Sequence, residues 1–211
     1  MRQTLYSSLL ALLLATASSA LLAQGTAGAE PSGPNELVKW VIDGVMQSVH
    51  QSDAPRSGDV GALARVVEQK FVPYTDFQRT ARIALADAWK TATPDQQRQL
   101  VAQFQTLIVH VYATELTQVS DRSVAFRFEN STIAPGATDA IIRTRLVDNG
   151  EDDAIAYRLE KTAAGWRIYD INILGTWLSQ IYRHQFEGQL AKGGVPALIE
   201  SLAQHNARAA N

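Results

Sequence analysis

The sequence predicts an α+β fold in which a four-stranded antiparallel sheet packs against about six helices. Three observations predict it. Apolar residues recur at helical spacing from Leu37 to about Val119. The period drops to two between Val124 and Ile173. After Gly175 the helical period returns. No internal repeat and no low-complexity segment interrupts this order, so residues 30–211 read as one domain.

Glu30 to Asn35 reads as a short linker, with Asn35 placed to cap the first helix. Leu37, Val38, Val41, Ile42, Val45, Met46 and Val49 supply that helix with an apolar face. Ser52 to Gly58 reads as a polar loop. A second helix covers Val60 to Phe71, and Pro73 breaks it. A third covers Asp76 to about Lys90, with Phe77, Ile83, Leu85 and Trp89 as its bulky members. The fourth has the clearest start in the chain. Thr93-Pro94-Asp95-Gln96 combines a Thr cap, a proline in the first turn and the reciprocal Gln of a capping box.

Four strands follow. Val124, Phe126 and Phe128 alternate with Ala125, Arg127 and Glu129. Ile142, Thr144 and Leu146 alternate with Arg143, Arg145 and Val147. Ile155, Tyr157 and Leu159 alternate with Ala156, Arg158 and Glu160. Trp166 to Ile173 makes the fourth and carries apolar residues on both faces toward its end. Asp148-Asn149-Gly150 and Ala164-Gly165 supply turns. One face of the sheet is apolar and the other polar or basic. Trp177, Leu178, Ile181, Tyr182, Phe186 and Leu190 then mark a fifth helix, ended by Gly193-Gly194, and Pro196 opens a short last one.

The N-terminus reads as an export signal over residues 1–29. Arg2 is its one charge, Leu9 to Ala23 its apolar core, and Ala27-Gly28-Ala29 its small-residue exit. The apolar run falls short of the about 20 residues that a membrane span requires. The chain has no cysteine, which excludes disulfides and lipidation behind the signal. The formal charge of −2 offers no basic field for nucleic acid.

Two stretches carry a family resemblance. The first is Phe71-Val72-Pro73-Tyr74-Thr75-Asp76-Phe77, then Trp89, Thr93 to Arg98, and Phe104 through Tyr112 to Leu116. The second is Trp166-Arg167-Ile168-Tyr169-Asp170-Ile171, then Gly175, Tyr182-Arg183-His184-Gln185-Phe186, Gly194 and Leu198-Ile199. In order and spacing they resemble the MlaC family, the toluene-tolerance auxiliary proteins of an ABC transporter. The resemblance implies an NTF2-like sheet and helices that enclose acyl chains. It also implies a periplasmic phospholipid carrier between an outer-membrane lipoprotein complex (MlaA-type) and an inner-membrane ABC transporter with an MCE-domain subunit (MlaD-type), and the chain is expected to act as a monomer. One departure stands out: the family often has a small hydroxyl residue two positions after Gly175, where this chain has Trp177. A ring there is expected to narrow or reshape the cavity mouth.

On this reading the cavity candidates are Phe104, Leu107, Ile108, Val111, Phe126, Phe128, Ile142, Leu146, Tyr157, Ile168, Trp177 and Ile181. Their apolar pattern alone favours a closed core, since such stripes usually bury against each other, and the resemblance is what points to a cavity. Arg143, Arg145 and Arg158 fit either a solvated sheet face or a phosphate-attracting rim.

Catalytic chemistry has little to stand on. There is no Gly-x-Ser-x-Gly elbow and no cysteine nucleophile. His50, His110, His184 and His205 share no metal-ligand spacing, so neither metal nor cofactor is expected. Asp170 is the one suggestive acid. On the last strand of an NTF2-like sheet it is either a general base for an apolar substrate or an ion-pair or helix-cap residue, with Arg183 as a partner.

Overall fold

The computed structural model describes residues 31–119, 124–148 and 150–209. The signal segment lies outside them. Helix α1 spans Pro34–His50, α2 Ala54–Ser57, α3 Val60–Lys70, α4 Phe77–Leu85, α5 Asp87–Thr91 and α6 Pro94–Leu116. Strands β1 (Ala125–Glu129), β2 (Asp139–Asp148), β3 (Glu151–Thr162), β4 (Gly165–Ile173) and β5 (Thr176–Trp177) form one antiparallel sheet in sequence order. Helix α7 (Leu178–Ala209) closes the chain.

The α+β expectation holds, with a fifth strand added to the four. That strand is two residues long, too short to leave a periodicity in the sequence. The capping box at α6 forms in full: Gln96 N–H donates to Thr93 Oγ1 at 3.2 Å, and Thr93 N–H donates to Gln96 Oε1 at 2.9 Å. The break at Gly193-Gly194 is present as two residues with non-helical backbone inside α7. Pro196 follows it, so the last segment restarts where a missing N–H does no harm.

Three local expectations change. Asn35 does not cap α1, whose N-cap is Gly33. Its amide instead bonds Ser131 in both directions, at 2.9 and 3.3 Å, tying α1 to the segment after β1. Part of the expected loop at Ser52–Gly58 is the one-turn helix α2. The single helix expected over Asp76–Lys90 is two helices. Ala86 between them takes φ 47°, and the turn lets both Leu85 and Trp89 bury.

Three buried clusters organise the interior. Phe104, Leu107 and Ile108 of α6 meet α4, α5 and α7, with Tyr182 and Phe186 among their partners. A second cluster packs Leu37, Val38, Val41 and Ile42 of α1 on Ile142, Tyr157, Leu159 and Ile168 of the sheet. A third joins the end of α1 to α2, α3 and α6 through Val49, Leu63, Val67 and Val109. Phe71 and Tyr112 pack against all three.

An apolar cavity beneath the sheet

The inner face of the sheet does not close fully onto α1, α3 and α6. Between them lies a void of about 160 Å³, lined by Val41, Ile42, Val45 and Met46 of α1, Val67 of α3 and Phe71 beyond it. Tyr112 and Leu116 of α6 and Phe126, Ile155, Tyr157, Ile168, Ile171 and Ile173 of the sheet complete the wall. Every one of these side chains is apolar or aromatic. An enclosed apolar cavity of about 150 Å³ stays dry and admits benzene; the void here matches it in size and in wall chemistry, which suits hydrocarbon better than water.

A bulge in β4 builds much of the wall. Arg158 pairs with Asp170 but Leu159 pairs with Ile168, leaving Tyr169 as the extra residue. A bulge inserts one residue and so reverses the alternation beyond it. Ile171 and Ile173 therefore join Ile168 on the cavity side despite the odd spacing. This accounts for the apolar residues expected on both faces of the fourth strand.

A second, smaller void lies next to the first, lined by Phe71, Phe77, Thr80, Ile108, Tyr112, Ile168, Asp170, Ile171 and Leu178, among others. The 3₁₀ turn Val72–Tyr74 holds Phe71 between the two. That turn is anchored to β4, since Asp76 N–H donates to the Ile168 carbonyl at 2.7 Å. Tyr112 lies 5.8 Å from Phe71, ring to ring. Its hydroxyl is buried and has no hydrogen-bond partner. Burial pushes that hydroxyl well above the ordinary tyrosine range, so it is a neutral donor. Burial likewise pushes Tyr157 up to about 12.

The structure sorts the twelve candidates. Phe126, Tyr157 and Ile168 line the main void and Ile108 the smaller one. Phe104 and Leu107 belong to the closed core between helices. Phe128 and Ile142 border a separate pocket with Asn35, Glu36 and Lys39. Leu146 and Ile181 are half-buried and line neither void, and Val111 is 36% exposed. Trp177 lines neither void; its ring lies under the Arg158 guanidinium at 3.7 Å. The α1 residues, Phe71 and Tyr112 are absent from the candidates, although the helical stripe of α1 was visible in the sequence.

Asp170 is fully engaged. Its side chain is 0% exposed. It accepts from Ser179 Oγ at 2.6 Å, from Ser179 N–H at 3.1 Å and from Ile171 N–H at 3.1 Å, with Arg158 Nη1 at 3.5 Å. By accepting from the Ser179 N–H and hydroxyl in the first turn of α7, this β4 carboxylate anchors the helix to the sheet. The partner is Arg158; Arg183 instead donates to the Ile83 carbonyl. Asp170→Asn is expected to lower stability by about 2–3 kcal/mol, through loss of charge-assisted bonds to a buried group. Thermal melting checks this. On the outer face, Arg145 lies 3.2 Å from Glu129 and 3.9 Å from Asp152, as a solvated sheet face requires.

Among the described residues, no cluster of His, Asp or Glu is arranged to hold a metal ion, and no helix is long and apolar enough to cross a membrane. Fold and cavity together define an α+β protein built around an apolar cavity. The MlaC protein family model matches residues 39–204, and the chain belongs to that family. It is 24% identical over 191 residues to the intermembrane phospholipid transport system binding protein MlaC of Haemophilus influenzae, covering 88% of this chain and 87% of that protein. It also matches the structure of a phospholipid-binding protein from Ralstonia solanacearum in complex with a phospholipid. There the TM-score is 0.75 and the identity 38%, covering 82% of this chain and 97% of that one.

Proposed function

We propose that this protein is a soluble periplasmic phospholipid carrier, exported by the segment 1–29, that holds acyl chains in the cavity beneath its sheet. The observation that carries the reading is the entirely apolar wall of that cavity, in a fold shared at 38% identity with a protein solved with phospholipid bound. Water rejects an acyl chain by about 0.8 kcal/mol per methylene. A free phospholipid therefore leaves a membrane too rarely to cross an aqueous space, and a dry cavity removes that barrier. The sequence resemblance supports the finer reading, a shuttle between an MlaA-type outer-membrane complex and an inner-membrane ABC transporter with an MlaD-type subunit.

The chain carries its ligand unchanged. Asp170, the best candidate for a base, is already committed to Ser179, Ile171 and Arg158. The test is transfer of fluorescent phospholipid between donor and acceptor vesicles. The carrier is expected to accelerate transfer in proportion to its concentration, with no change in the lipid's mass. Unaccelerated transfer overturns the reading, and a lipid recovered as hydrolysis products favours an enzyme.

A further inference from the structure

The main void is about the size that admits one small aromatic molecule, whereas a phospholipid brings two long chains. Some part of the lining must yield when lipid enters. Four residues line both voids: Phe71, Tyr112, Ile168 and Ile171. The two isoleucines are fixed by the β4 ladder and pair with Leu159 and Tyr157. Phe71 and Tyr112 are the aromatic members: α6 and the Phe71 N–H bond to the Val67 carbonyl fix their backbones, while neither ring carries a hydrogen bond of its own.

We propose that Tyr112 and Phe71 form a movable partition between the two voids, and that their displacement admits the second acyl chain of a two-chain lipid. The inference rests on the phospholipid-carrier reading and assigns the residues that set how many chains fit. Close packing normally locks a ring in place. Here the Tyr112 side chain borders both voids. Its hydroxyl is buried and unpartnered, so rotation breaks no hydrogen bond. A buried donor without a partner carries a free-energy penalty, and any position that offers an acceptor relieves it. The second void brings such a group: Thr80 borders it, and its hydroxyl donates to the Asp76 and Tyr169 carbonyls and keeps lone pairs to accept with. The two rings also sit where all three buried clusters meet.

The test is a competition between phosphatidylglycerol and its single-chain lyso derivative, offered in equal amounts to the full protein and read by native mass spectrometry. Tyr112→Trp enlarges the partition, and the bound ratio of two-chain to single-chain lipid is expected to fall about tenfold. Tyr112→Ala removes the partition, and the ratio is expected to rise severalfold. Tyr112→Phe keeps the ring and removes the unpartnered hydroxyl, so the ratio stays within about twofold and the melting temperature does not fall. If Tyr112→Trp does not fold, the direction of the Tyr112→Ala change decides. A folded variant set that retains both lipids at the wild-type ratio overturns the partition and leaves the carrier reading intact. A wild-type protein that retains neither lipid overturns both.

Discussion

Replacing Met46 with tryptophan is expected to reduce phospholipid retention about tenfold while shifting the melting temperature by only a few degrees. Met46 is half-buried on α1 and lines the main void. Enlarging a side chain in a close-packed core costs about 1–3 kcal/mol, because neighbours must leave their rotamers. At this position the added ring enters free space instead. The same volume is then lost to the ligand, and a tenfold loss of affinity corresponds to only about 1.4 kcal/mol. Equilibrium binding of a fluorescent phospholipid and a thermal melt on the same preparation check the two halves together. A variant that binds normally places the lipid elsewhere.

Phe104→Ala is expected to do the reverse. Phe104 is 1% exposed, with Tyr182 at 4.9 Å and Phe186 at 5.5 Å, both edge-on. None of the three lines either void. Truncating a buried phenylalanine costs about 3–5 kcal/mol in transfer and cavity terms. In a domain of this size that lowers the melting temperature by roughly 10 °C. Lipid retention well below the new melting point is expected to match wild type. The pair separates two roles that the same residue types play in this chain: α1 lines a space, and the middle of α6 closes one.

That separation marks the boundary of what could be read from the residues. Local chemistry was legible wherever it is self-contained. Thr93 and Gln96 announce their own capping box, and the alternation from Phe126 to Leu159 announces the strands. Gly193-Gly194 announces the break in the last helix. What depends on distance between elements was not legible. Val41, Val45 and Met46 carry the same helical stripe as a buried helix, and nothing in the stripe says that the sheet stands off from it. Phe104 and Phe126 look alike in sequence; one lies in the closed helix core and the other on the cavity wall. The bulge at Tyr169 was visible only as its consequence, apolar residues on both sides of one strand. Asp170 reads as a possible base until Ser179 is seen to cover it.

Native mass spectrometry of the protein purified from the envelope fraction tests the central claim most directly. The carrier account predicts a complex heavier than the mature chain by the mass of a phospholipid, with the lipid released intact on unfolding. A protein that is recovered empty, and that also fails to extract labelled phospholipid from vesicles, would contradict it.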